Sequence, residues 1–336
     1  MFVNSDSYIK YLKLWLITLF LLIILMVAVG GLTRLTDSGL SITEWELFTG
    51  ILPPLNINEW NFYFLEYKKI PEYQNINYGM TLNEFKVIYY WEYAHRLLAR
   101  LVGLFSVIPL IILSLRFKNS KYYSNKYYLI FFLVCLQGFI GWYMVSSGLI
   151  ENNDVSHFRL SIHLFIALLI LSLIFWFILD TFKIKKFDEK IPNLLLSIIL
   201  ILIVIQIILG AFLSGLNGGL IYNSWPDMNG NFFPNDVKFN DVINSKLLSN
   251  PSIVQFLHRS TAYLLLFLIL ILNYFYIKKR YDFKYILFFD AAIFIQIFLG
   301  IITLTSGVEI KYASLHQLGS ILVLSSYFLI LYKNSN

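Results

Sequence analysis

Four histidines lie in two pairs of similar local sequences, and they are the residues best suited to binding a metal in this chain. His95 and His258 each precede an arginine, in EYAHR and QFLHR, while His163 and His316 lie in SIHLF and SLHQL. Neutral imidazole is a common ligand of iron, copper and zinc. Each half of the chain therefore offers two histidines at similar depth, which predicts one metal or metal-cofactor site per half.

A second repeated pattern is glutamine, glycine four residues later, and then Ser-Gly. It occurs in LQGFIGWYMVSSGL (136–149) and IQIFLGIITLTSGV (295–308), and QIILGAFLSG (206–215) repeats part of it. These repeats predict two pseudo-symmetric four-helix bundles, over residues 1–185 and 186–336, with the same orientation in a membrane. The repeated small residues suit either tight helix packing or a flat ring held between helices, and both interpretations stay open.

The ligand types available favour haem over zinc. The chain has a single cysteine, Cys135, and zinc usually takes three or four protein ligands. Two axial imidazoles beside a flat apolar space suit haem. Arg96 and Arg259 directly follow two of the histidines, where a guanidinium would either pair with haem propionates or reach lipid phosphate. His157 has no counterpart in the second half and is interpreted as a surface residue.

The two halves differ one helical turn before the first histidine. Glu92 precedes His95 by three residues, and the matching position before His258 is Gln255, which carries no charge. This difference predicts one reactive site, in the first half, and one electron-transfer or structural site in the second. The alternative is that Glu92 is only a solvated acid at the membrane interface.

The elements that carry these residues are transmembrane helices. Of the 336 residues, 58% are hydrophobic and 14% are charged, which is more apolar surface than a soluble protein of this length could bury. Apolar runs of about 20 residues match a hydrocarbon core roughly 30 Å thick. The predicted fold class is an all-α polytopic membrane protein with eight spans, at 12–32, 92–114, 126–147, 160–180, 193–214, 254–277, 284–305 and 314–332.

The charge distribution predicts the topology of these spans. Lysine and arginine are concentrated in alternate short connections, which the positive-inside rule places in the cytoplasm together with both termini. The net charge of +6 therefore reflects topology rather than a nucleic-acid partner, and the histidines lie towards the periplasmic side. The N-terminus lacks an Arg-rich presequence, which favours a bacterial inner membrane. The basic connections are 116–126, 183–190 and 278–284.

A specific family resemblance is carried by the outer loops and the histidine segments. GGLTRLTDSGLSITEWELFTGILPPLNINEWNFYFLEYKKIPEY (30–73) and MTLNEFKVIYYWEYAHRLLARLVG (80–103) resemble the haem A synthase family, in its mitochondrial and alphaproteobacterial branch. GLNGGLIYNSWPDMNGNFFP (215–234) and QFLHRSTAY (255–263) are also similar to that family. The similarity covers nearly the whole chain.

The resemblance implies an oxidoreductase that converts the C8 methyl group of haem O to the formyl group of haem A for terminal oxidases. It implies that His258 and His316 ligate a haem b cofactor, that His95 and His163 hold the substrate haem, and that Glu92 is essential beside it. Its implied partners are the haem O synthase that supplies the substrate and an unidentified electron-transfer partner, besides the lipid bilayer. Some bacterial members carry a cysteine pair in the first outer loop, whereas loop 30–84 has no cysteine here.

Two other classes of protein fit part of the pattern. A non-catalytic membrane cytochrome with two b haems would also need four histidines. It gives no reason, however, for the first half to have Glu92 at the position where the second half has Gln255. A transporter with histidine proton relays predicts acids in mid-span, and only Asp180 and Asp290, near the inner ends, come close. The amphipathic stretch at 59–69 would suit a cover over the substrate site, a docking surface for another protein or a position on the membrane surface.

Overall fold

The predicted all-α fold is confirmed. The computed structural model describes residues 5–45, 49–116, 121–151, 155–238 and 247–335, so residues 46–48 of the first outer loop and 117–120 of the first inner loop lie outside the described residues. Within the described ranges the chain forms ten α-helices and no β-strand. The helices are α1 Ser5–Leu35, α2 Ile57–Tyr67, α3 Pro71–Asn75, α4 Leu82–Arg116, α5 Lys121–Glu151, α6 His157–Thr181, α7 Asn193–Gly215, α8 Pro251–Lys279, α9 Phe283–Thr305 and α10 Ile310–Asn334.

Eight of these helices, all except α2 and α3, are long and apolar enough to cross a membrane. Each contains one of the eight predicted spans, so the chain is a multi-pass membrane protein. The largest difference is at α4, which begins about ten residues before the predicted span. Thr81 and Glu84 form a capping box there, with Thr81 N and Oγ1 donating to Glu84 Oε2 at 2.7 and 2.8 Å. The apolar pattern does not reveal this extension because residues 82–91 are amphipathic.

The structure divides into two compact units, Met1–Arg159 and Leu160–Asn336. Because the division falls near the start of α6, His163 belongs to the second unit. The predicted boundary at residues 185 and 186, and the pseudo-symmetry of two bundles, stay predictions.

In the first unit, α4 packs against both α1 and α5. The loop between α1 and α4 folds onto the N-terminal part of α4 through aromatic side chains. Trp60 and Phe64, on the buried face of α2, contact Phe85 and Tyr89 of α4, with ring centroids 5.0–6.5 Å apart. The amphipathic stretch predicted at 59–69 thus forms a helix whose apolar face is buried against the protein.

In the second unit, α7 packs against α8 and α9 packs against α10. The loop that precedes α7 holds the C-terminal end of α10 through hydrogen bonds to main-chain oxygens of that helix. Phe187 N donates to Lys333 O at 2.7 Å, and Lys186 Nζ donates to Tyr332 O at 2.8 Å. These contacts anchor the helix that carries His316.

Candidate functional site

The second unit brings two of the predicted ligands together. His258 on α8 and His316 on α10 have ring centroids 6.5 Å apart, with ring planes 81° apart. One metal ion between two imidazoles needs about 2 Å to each nitrogen and roughly 1 Å more to each centroid, so about 6 Å in total. No group of three His, Cys, Asp or Glu residues suited to a metal occurs in the described ranges. The pair therefore fits two axial ligands of a haem better than a zinc centre.

The hydrogen bonds around His316 fix which nitrogen is available for a metal. Nδ1 of His316 lies 3.1 Å from the main-chain oxygen of Gln296 on α9, and Nε2 of Gln296 donates to His316 O at 2.9 Å. With Nδ1 as the donor, Nε2 keeps its lone pair. A metal-bound histidine usually has this arrangement, because the second nitrogen bonds to a carbonyl or carboxylate.

His258 has a related environment on α7. Its Nε2 lies 3.3 Å from Nε2 of Gln206, and it would be free to hold a haem iron if this amide turned away. Its Nδ1 is buried and has no hydrogen-bond partner among the residues that the structure describes. A buried polar atom of this kind costs free energy unless a bound group or a rearrangement compensates for it. The fit to a haem iron therefore rests on the distance between the two rings and on the carbonyl at His316 Nδ1, and not on this unpaired nitrogen.

His316 and His258 each lie against a glycine of a neighbouring helix. A Cβ atom at Gly300 would lie 2.9 Å from Cε1 of His316, and one at Gly210 would lie 3.2 Å from Cε1 of His258. Both glycines end a Gln-x-x-x-Gly repeat, with Gln296 and Gln206 at the start. The repeat alone left two interpretations open, tight helix packing and room for a flat ring. At these two positions the glycine makes room for the histidine ring.

We expect Gly300→Ala to weaken haem b binding without removing a ligand. The added methyl group must displace the His316 ring, and overpacking of this kind costs about 1–3 kcal/mol. If that cost falls on the haem-bound state, affinity drops roughly 5- to 150-fold. The measurement is the haem b content of the purified protein at matched expression.

Gly138→Ala is the matched control, because a Cβ at this helical glycine meets no atom within 4 Å. Its haem content should equal that of the unmodified protein. Equal haem content in the Gly300→Ala and Gly138→Ala proteins would contradict a role for Gly300 in seating His316.

In the first unit, His95 lies on α4 against Gly30 of α1. A Cβ at Gly30 would lie 3.0 Å from Nε2 of His95. His163, its predicted partner, lies on α6 in the second unit, so the pairing of these two histidines stays a prediction. His157 begins α6 with its ring 4.1 Å from that of Phe158.

Glu92 is buried, with 3% of its surface exposed, and each of its oxygens accepts two hydrogen bonds. Ser41 Oγ and Ile42 N donate to Oε2, both at 2.8 Å. Arg96 donates to Oε1 from Nε at 3.0 Å and from Nη2 at 2.6 Å. The carboxylate therefore joins α4 to the loop that follows α1.

Both arginines that follow a histidine bind main-chain oxygens of outer loops. Arg96 donates to Ile42 O at 2.8 Å and to Glu44 O at 3.0 Å. Arg259 donates to Tyr222 O at 3.1 Å and to Asp227 O at 2.8 Å. The Nε atom of Arg259 is buried and has no partner within the described part of the chain. Their predicted pairing with haem propionates stays a prediction.

The outer loop before α8 is held by two ionised aspartates. Backbone N–H of Gly230 and the Ser224 hydroxyl donate to Asp227 and lower its pKa. Burial opposes ionisation of Asp236, but hydrogen bonds from the hydroxyls of Tyr222 and Ser252 outweigh it and lower its pKa. Burial, together with the bond to Asp236, raises the pKa of Tyr222. The loop segment that Arg259 binds is thus fixed by a network of its own.

The fold and the histidine pair define a multi-pass membrane protein with a site suited to haem. Residues 13–328 match the COX15-CtaA family, described as "Cytochrome oxidase assembly protein". A protein from Pelagibacter ubique (strain HTCC1062) named "Heme A synthase" is 81% identical over 336 residues, with all of both chains covered. Proteins of the same name from Rickettsia bellii (strain OSU 85-389) and Wolbachia pipientis wMel are 44% and 42% identical, covering 94% and 95% of this chain and 96% and 92% of their own.

The chain belongs to the COX15-CtaA family, in which these relatives carry the name haem A synthase. The family resemblance predicted from the outer loops and histidine segments is confirmed. The alphaproteobacterial branch also fits these relatives.

Sequence reasoning missed the residues that hold the histidines and the loops in place. Gly210 and Gly300 were visible only as repeated small residues, and Gly30 only as part of the family-like segment 30–73, without their contacts to the rings. Ser41 and Ile42 gave no signal, since their role depends on where the loop folds.

Proposed function

We propose that the chain oxidises the C8 methyl group of haem O to a formyl group and so forms haem A. The full-length similarity to a protein named "Heme A synthase", at 81% identity, carries this proposal. The half-buried pair His258 and His316 supports it, because a haem enzyme needs a binding site of this kind. The reaction makes the protein an oxidoreductase of haem biosynthesis.

His258 and His316 are the proposed ligands of a haem b cofactor. When bound, haem b supplies one-electron transfer between the substrate site and an external partner. The chain's contribution is to hold the ligands: Gly210 and Gly300 accommodate the rings, and the Gln296 carbonyl orients His316. Arg259, with its buried Nε, is the proposed partner of a propionate.

The substrate haem O is assigned to His95 and His163, with Arg96 as a candidate propionate contact. Conversion of a methyl to a formyl group removes four electrons, as two successive hydroxylations followed by loss of water from the geminal diol. A separate electron-transfer partner exchanges these electrons with the protein, and a haem O synthase must supply the substrate. Glu92 is the predicted catalytic group at this site.

The proposed location is a bacterial inner membrane, with both termini in the cytoplasm and the haem sites towards the periplasmic side. The lysine- and arginine-rich loops at 183–190 and 278–284 support this orientation. The eight membrane-length helices and the bacterial relatives support an inner-membrane position.

Conversion of haem O made by the host cell tests the proposal. The chain is expressed in a bacterial host that makes haem O but no haem A, and membrane pigments are separated by reversed-phase chromatography. We expect haem A to appear, with the hydroxymethyl intermediate before it. Membranes that contain the folded protein and haem O but form neither product would refute the proposal.

A further inference from the structure

We propose that Glu92 is a positioning residue: together with Arg96 it clamps the main chain at Ile42 against the outer end of α4, next to His95. The clamp itself is argued from contacts within the first unit. Its effect on turnover rests on the proposed function. This positioning role replaces the direct catalytic role at the substrate that was predicted for Glu92.

The carboxylate of Glu92 is saturated with donors. A carboxylate offers about four lone-pair sites, and four donor atoms from Ser41, Ile42 and Arg96 lie within 3.0 Å of it. A group that takes a proton from substrate must have a lone pair within reach of that proton. Glu92 has all of its acceptor capacity directed to the loop and to Arg96.

Ile42 is held at both of its main-chain groups. Its N–H donates to Glu92 at 2.8 Å, and its carbonyl accepts from Arg96 Nη2 at 2.8 Å. The same guanidinium donates to Glu44 O, and its Cζ lies 5.4 Å from the ring centroid of Trp45. Glu92 and Arg96 therefore act as one unit, since each holds the other and both hold the loop.

The second unit has a corresponding clamp without an acid. Gln255 Nε2 donates to Tyr222 O at 2.9 Å, and Arg259 Nη2 donates to the same oxygen at 3.1 Å. Tyr222 follows Gly210 by twelve residues, as Ile42 follows Gly30. In each unit, the residue three positions before the histidine binds a loop. That loop follows the helix whose glycine contacts the histidine ring. An amide can perform this task and cannot act as a general base, so loop holding is the function that the two positions share.

The two roles of Glu92 predict different rankings of variants. If it clamps the loop, Arg96→Ala and Glu92→Ala should each lower haem O turnover about 100-fold or more, because each leaves a buried charge unpaired. The double variant should be no worse than either single one. Glu92→Gln keeps an acceptor oxygen and should lose only about 3- to 30-fold. A proton acceptor predicts instead that Glu92→Gln is as inactive as Glu92→Ala and that Arg96→Ala is much milder.

Hydrogen exchange tests the clamp independently of turnover. In the full-length protein in detergent, exchange of the peptide covering 38–45 should rise about tenfold or more in Glu92→Ala and Arg96→Ala, and several-fold in the milder Ser41→Ala. Exchange of α2, residues 57–67, should be unchanged. Haem b content reports that the second unit is still folded.

Glu66→Gln is the matched control for Glu92→Gln, because it replaces a glutamate by glutamine in an exposed ion pair with Lys69. It should alter neither exchange nor turnover. Unchanged exchange at 38–45 in all three clamp variants would overturn the proposal. If the unmodified protein fails to convert haem O while the clamp variants still speed exchange, the proposed function fails and the clamp stands.

Discussion

Replacement of His316 by alanine is expected to reduce bound haem b by at least about tenfold, and His258→Ala should do the same. Even loss of a group that merely supports a metal ligand costs 10- to 100-fold in affinity, and here a proposed ligand itself is lost. The two rings lie 6.5 Å apart on α8 and α10, so neither can replace the other. The measurement is extracted haem b per chain, together with the reduced-minus-oxidised absorbance of the purified protein.

His157→Ala is the matched control for this experiment. His157 lies at the start of α6 and contacts Phe158, and it has no equivalent in the second half. Its removal should leave the haem b content unchanged. Full retention of haem b in both His258→Ala and His316→Ala would contradict the cofactor assignment.

Replacement of His95 by alanine is expected to reduce haem A formation at least about 100-fold while haem b stays bound. The groups that contact the rings of His258 and His316 belong to α7 and α9: the Gln206 amide, the Gln296 main-chain oxygen and two glycines. His95 instead packs against Gly30 of α1. The measurement compares haem A formed from haem O with haem b content in the same preparation.

A milder change tests the same site without removing the ligand. Gly30→Ala would bring a methyl group to 3.0 Å from Nε2 of His95, whereas a Cβ at Gly103, on the same helix as His95, meets nothing within 4 Å. We expect Gly30→Ala to lower turnover several-fold and Gly103→Ala to leave it unchanged. Loss of haem b in His95→Ala, with haem b retained in His258→Ala, would mean that the roles of the two halves are reversed.

The spans could be predicted from sequence because the membrane imposes a simple requirement. A segment that crosses the hydrocarbon core must satisfy its own backbone, and about 20 apolar residues in a helix meet that condition. All eight predicted spans lie within observed helices for this reason. The start of α4 at Leu82 was missed because it depends on a capping box between Thr81 and Glu84, outside the apolar stretch.

The surroundings of the candidate ligands could be predicted only in part. Repeated local sequences identified His258 and His316 as candidates, and the structure places their rings side by side. The glycine contacts depend on how two helices pack, and the spacing of residues along one helix does not specify that. Two of the partners of Glu92, Ser41 and Ile42, lie about fifty residues earlier in the chain, so only the folded loop reveals them.

The pigments bound to the purified, unmodified chain test the central claim most directly. The protein is isolated from membranes that contain haem O, and its haems are extracted and identified by chromatography and mass. A haem A synthase with one cofactor site should carry haem b together with haem O, haem A or a hydroxylated intermediate. Two haem b per chain with no other haem would instead indicate an electron-transfer cytochrome, and a protein that binds no haem would contradict the account altogether.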